Sequence, residues 1–186
     1  MKKGLLILIA AVAIVVLWGV SCYNGLVGKQ ESVGTAWSNV ETQYQRRADL
    51  IPNLVSTVKG YAAHESETLE SIVAARSGAF SPNEAGVQNL QFQENAVSSA
   101  LARLLVVVEN YPELKASENF LDLQAQLEGT ENRIAEARRL FNESAKQYNT
   151  NVRKFPANII ASAFGFEKKG YFEADEAAAS APKVEF

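Results

Sequence analysis

Residues 118 to 154 read ENFLDLQAQLEGTENRIAEARRLFNESAKQYNTNVRK. Within and just beyond this stretch, Phe120, Leu123, Leu127, Thr130, Ile134, Ala137, Phe141, Ala145, Tyr148, Val152 and Phe155 recur at alternating spacings of three and four. That period is the signature of one long α-helix that buries a single stripe in coiled-coil fashion. Ser117 is placed to cap its start, and Pro156 stops it. The length from Glu118 to Lys154 corresponds to about 55 Å of helix. Arg133, Glu136, Arg139, Glu143 and Lys146 fall on the opposite face, where unlike charges at helical spacing favour a solvated surface.

Upstream, Val33, Trp37, Val40, Tyr44, Arg47 and Ile51 follow the same rhythm, so Arg47 occupies a position where an apolar residue is expected. Either it is paired inside the core or the seam ends there. Pro52 cannot donate to the carbonyl of Ala48 and crowds the preceding turn, which predicts a kink or a restart near Asp49, with Asp49 capping the restart. Leu54, Val55, Val58, Ala62, Leu69, Ile72, Val73 and Arg76 carry the pattern onward to a loop at Gly78 to Gly86, which contains Pro82. A further helix is expected from Val87 to Asn110 through Leu90, Val97, Leu101, Leu104, Leu105 and Val108, with a turn at Tyr111-Pro112. No strand pattern is present.

The fold class expected is therefore all-α: an N-terminal transmembrane helix followed by an elongated antiparallel bundle of three to four long helices. No acidic or basic residue lies between Lys3 and Lys29, and Leu5 to Val20 is apolar apart from Gly19. Counted from Gly4 to Tyr23, this gives about 30 Å of helix, the thickness of a bilayer core. Leu5, Leu6, Ile7, Ile14, Val15 and Trp18 are the anchor residues in this reading. Lys2 and Lys3 hold the N-terminus in the cytoplasm and leave the remainder outside. A cleaved leader and a lipoprotein attached through Cys22 are the competing readings, and the length of the apolar run favours the uncleaved anchor. The domains expected are a transmembrane signal anchor over 1–24, an extracytoplasmic bundle over 25–166 and a poorly ordered tail over 167–186.

Lys and Arg total 18 against 21 Asp and Glu, for a net charge of −3 that becomes more negative once Lys2 and Lys3 are set aside. An acidic body disfavours nucleic acid as a partner. One Cys and one His leave no disulfide framework and no Cys/His metal site within one chain. His64-Glu65-Ser66-Glu67 opens like a zinc-protease helix, but position 68 is Thr where the second His belongs. His64 is expected on a helix surface. No Gly-x-Ser-x-Gly turn and no phosphate loop occur. Neither catalytic residues, metal nor cofactor are expected.

Six polar residues, Arg46, Arg47, Asp49, Asn53, Glu131 and Asn142, are candidates for a structural polar core. A buried ion pair between helices sets register more often than it carries catalysis. Ile159, Ile160, Phe164 and Phe166 form a short apolar patch beyond the bundle end, a candidate interface that a neighbouring subunit or the membrane surface would cover.

Tyr23-Asn24 followed by Leu26-Val27, YQRRADLIPNLV over 44–55 and VKGY over 58–61 resemble the LemA family. YPELKA over 111–116, LEGTENRI over 127–134, Tyr148-Asn149-Thr150, Phe155-Pro156 and the PKVEF ending over 182–186 follow in the family's order. The resemblance covers nearly the whole chain. It implies a bacterial membrane protein with one N-terminal span and an extracytoplasmic helical bundle, linked to envelope and membrane organisation, magnetosome formation included, and it carries over no catalytic residue. The function expected is a non-enzymatic membrane-anchored scaffold in the cytoplasmic membrane. Its partners would be the lipid bilayer and further copies of the chain, or else a membrane protease or transporter that it docks on and regulates.

Overall fold

The computed structural model describes residues 2–62, 64–78 and 87–173, and the chain is helical almost throughout them, with no strand among the described residues. The helices are α1 (Lys2–Tyr61), α2 (Ser66–Gly78), α3 (Val87–Val108), α4 (Pro112–Lys115), α5 (Glu118–Arg153) and α6 (Ala157–Ala163). Residues 79–86 of the expected loop, and 174–186 of the expected tail with the PKVEF ending, lie outside the described residues.

The chain divides into two compact units. The first joins the described residues up to Glu41 with Arg139–Lys169, and the second joins Thr42–Arg138 with those from Gly170 onward. Both borders fall inside helices, in α1 and α5.

In the first unit, burial follows the α1 seam through Leu26, Val33 and Val40 and the α5 seam through Phe141, Ala145 and Tyr148, with Ala161 of α6 added. Trp37 stands edge-on to Phe141 with ring centroids 5.4 Å apart. This is a favoured arrangement of aromatic quadrupoles. The Asn149 side chain grips the backbone of Lys169 twice, donating to its carbonyl and accepting from its amide, both at 2.8 Å.

The second unit holds a larger core, in which Ile51, Leu54 and Val58 of α1 pack with Leu69 and Ile72 of α2, Val97 and Leu104 of α3, Leu114 of α4, and Phe120 and Leu123 of α5. All of them except Leu114 are residues that the three-and-four spacing selects. Tyr111 donates its hydroxyl to Glu65 at 3.2 Å, tying the turn before α4 to the turn before α2.

Five expectations are corrected. The helix does not restart at Asp49: α1 runs unbroken through Pro52, and Asp49 accepts from Gln45 Nε2 at 2.8 Å. A proline removes one backbone bond, and here the orphaned carbonyl of Ala48 accepts from Arg76 Nε at 3.0 Å. A break occurs instead between Tyr61 and Ser66, with His64 exposed in a turn rather than on a helix. Gly60 ahead of it and Glu67 in the first turn of α2 are boundary signals of the usual kind. Phe155 is 76% exposed, because α5 has ended at Arg153 and the helical period no longer sets its direction.

Val73 and Leu105, both read as seam residues, are exposed at the margins of their helices. Lastly, residues 167–173 are held in place: besides Lys169, Glu173 is gripped by Gln91 through both its carbonyl and its amide, and Phe172 is buried.

Candidate functional site

The apolar segment of α1 comes first along the chain. Leu5, Leu6, Ile7, Ile14 and Val15 are 60–70% exposed and Trp18 is 41% exposed, so the described residues leave them largely uncovered. The segment is long and apolar enough to cross a membrane, and none of it is buried within the protein.

Farther along α1, in the second unit, Arg47 is buried at a seam position. Its Nη1 donates to Glu94 and also to Glu131 at 2.8 Å, while Nη2 donates to Ser98 Oγ at 2.9 Å. One guanidinium thus ties α1 to α3 and α5. Glu94 is buried on α3, and burial pushes its carboxyl above the ordinary range against the pull of Arg47 and Arg138. The Glu131 side chain is 58% exposed and reaches inward only at its tip.

A second cation lies near the first. Arg138 Nε donates to the Tyr44 hydroxyl at 2.7 Å, and its guanidinium lies 5.6 and 5.2 Å from the ring centroids of Tyr44 and Phe172. Both are within cation–π range. Burial, together with the charge of Glu94, raises the Tyr44 hydroxyl well above the usual phenol range, so it stays protonated.

Beside Arg47 an open cleft of about 350 Å³ lies between α1, α3 and α5. Leu54, Leu101, Leu104, Leu105, Phe120 and Leu127 form its apolar walls, and Gln124, Glu128 and Glu131 its polar rim. On another side of the same guanidinium, a space of about 10 Å³ bounded by Tyr44, Ala48, Arg76 and Glu94 has room for at most one water.

Of the six polar candidates, Arg47 and Glu131 come together, whereas Arg46, Asp49 and Asn53 lie on the exposed face of α1. Asn142 is half-buried in the first unit. Sequence reasoning missed Glu94, Ser98 and Arg138. Glu94 was within reach of it, because Leu90, Glu94, Val97, Leu101 and Leu104 continue the three-and-four spacing, and a charge on that stripe needs a partner as Arg47 does. Arg138 follows the seam residue Ala137 and carries no such mark.

Ile159 and Phe164 are exposed and Ile160 and Phe166 half-buried. Phe164 and Phe166 stand edge-on to Tyr23 of α1, with ring centroids 4.9 and 5.6 Å away. Among the described residues no group of three or more His, Cys, Asp or Glu is placed to hold a metal ion.

The chain is similar to the magnetosome protein MamQ of Magnetospirillum gryphiswaldense, 29% identical over 177 residues, covering 81% of this chain and 64% of that protein. It is also similar to the magnetosome protein MamQ 2 of Paramagnetospirillum magneticum, 28% identical over 178 residues with the same coverage. Protein LemA of Metamycoplasma hominis is 26% identical over 155 residues, covering 82% of this chain and 69% of that one. The chain spans a little under two thirds of the length of the magnetosome relatives. The exposed apolar segment and this kinship together mark a membrane-associated protein. The LemA family profile matches residues 36–186, most of the body beyond the apolar segment, and the chain belongs to the LemA family.

Proposed function

We propose that this is a non-enzymatic, membrane-anchored helical scaffold that self-associates at the outer face of the bacterial cytoplasmic membrane and contributes to membrane and envelope organisation. The observation that carries this reading is the continuity of α1: an apolar segment that the body leaves unburied runs without a break into the seam that supplies core residues to the body. Only lipid matches the first part, and only a folded helical body needs the second. Lys2 and Lys3 ahead of the segment support a cytoplasmic N-terminus. Confinement to a membrane raises the concentration of one copy near another, so weak contacts between helical bodies suffice for assembly. Relatives that are magnetosome proteins fit a part in membrane organisation.

The charged groups favour structure over chemistry. Arg47 and Glu94 satisfy each other, and Arg138 holds the Tyr44 hydroxyl. The hydroxyl beside them, Ser98 Oγ, accepts from Arg47 and donates to Glu94 at 3.3 Å, which completes the same cross-helix network.

The cleft between α1, α3 and α5 favours a second reading, a module that docks on and regulates a membrane protease or transporter. Its leucine-lined wall and the carboxylates of Glu128 and Glu131 suit an apolar segment bearing a basic residue. Native mass of the full-length protein in mild detergent separates the two. A defined multiple of the subunit supports the scaffold, and a monomer at all concentrations moves the assignment to the docking module.

A further inference from the structure

The first unit ends in a set of largely exposed apolar side chains. Phe155, Ile159 and Phe164 are 76%, 57% and 63% exposed, and they belong to α6 or flank it. The inner side of the same segment lies against α1 where the apolar run gives out. Ile160 Cδ1 is 3.9 Å from the position a Cβ on Gly19 would take, and Phe164 and Phe166 pack on Tyr23. Lipid that surrounds Gly19 therefore meets Ile160 and its neighbours at the same depth. Trp18 and Tyr23, at the end of the run, are the residue types that settle where hydrocarbon meets headgroups.

The charges flanking this set are one-sided. Among the described residues, Arg153 and Lys154 before it and Lys168 and Lys169 after it are exposed, with the exposed carboxylate of Glu167 beside the latter pair. A second copy brought face to face would set these cations against their own kind, whereas anionic headgroups would neutralise them.

We infer that α6 and its flanking aromatics form a membrane foot: Phe155, Ile159 and Phe164 enter the outer interface of the bilayer beside the span, with the four cations on anionic lipid headgroups. This rests on the anchoring of α1 and adds a second, peripheral membrane contact to it.

The test uses the full-length protein with Cys22→Ser, carrying one environment-sensitive fluorophore at a time at Ile159→Cys, Lys146→Cys or Val12→Cys. Each is reconstituted in nanodiscs of phosphatidylcholine with phosphatidylglycerol. Quenching is read with a lipid bearing a nitroxide high on its acyl chain and with aqueous iodide. The expected result is lipid quenching at positions 12 and 159 and iodide quenching at 146. Lipid quenching at 159 should fall by about half in pure phosphatidylcholine. That dependence on anionic lipid should vanish in Lys154→Glu/Lys168→Glu.

Iodide quenching at 159 with lipid quenching at 12 overturns the foot and leaves the anchor standing. Protection of 159 from both quenchers assigns the patch to another protein surface and overturns the foot as well. Absence of lipid quenching at 12 overturns the anchor itself. Dependence on phosphatidylglycerol that survives the charge reversals removes the headgroup contacts.

Discussion

Arg76 Nε donates at 3.0 Å to the carbonyl of Ala48, the acceptor that Pro52 four residues later cannot satisfy. A side chain from α2 thereby replaces a missing backbone donor of α1 and lets one helix pass through a proline. Arg76→Ala should destabilise the protein by about 1–3 kcal/mol, the consequence of leaving a part-buried carbonyl unpaired. In a Pro52→Ala background the amide returns, so the same substitution should cost less. Equal losses in both backgrounds, measured by thermal unfolding of the full-length protein in detergent, would remove the link between the two residues.

Arg47→Met isolates the buried carboxyl of Glu94 and should cost about 3–5 kcal/mol. Combining it with Glu94→Leu should recover most of the loss, because both charges leave together. Glu131→Gln should cost less than about 1 kcal/mol, since that side chain is more than half exposed. Circular dichroism melts of the three variants and the native chain provide the comparison.

Stability should depend on the pH through Glu94. Burial raises its carboxyl above the ordinary 4.5 in the folded protein, so between 4.5 and the raised value the folded chain holds more protons than the unfolded one. The contribution is full below 4.5 and is lost as the pH rises through the folded value. Glu94→Gln cannot ionise, so its stability relative to the native chain should improve with rising pH. Denaturant titrations at pH 5 and pH 8 check the sign, and a relative decline would mean that Arg47's pull outweighs burial.

Asn149 pins the backbone of Lys169 through two hydrogen bonds. Asn149→Ala should cost about 2 kcal/mol, and it should speed tryptic cleavage after Lys168 and Lys169 well before global unfolding. Unchanged cleavage kinetics would mean that other contacts hold the segment.

The long helices were legible because their apolar positions repeat with the helical period over many turns. The reading of α5 as Glu118 to Lys154 differs from the structure by one residue, and that of α3 by two. The partners of the buried charges were harder to read. Arg47 stood out on its seam, but whether it met Glu131, Glu94 or neither depends on which helices pack together, and that is not a property of any one helix. Arg46, Asp49 and Asn53 shared its neighbourhood in sequence and not its burial, because a helix turns about 100° per residue and carries adjacent residues onto different faces.

The apolar segment, the helices and the stripe each of them buries follow from local periodicity and the chemistry of one face. Packing between helices settled that Pro52 does not end α1, that Glu94 joins Arg47, and that Arg138 meets Tyr44 and Phe172. The physical reason is common to all three: an unsatisfied carbonyl, a buried charge or a guanidinium near aromatic rings is stabilised by a group far away in the chain, which only packing brings within reach.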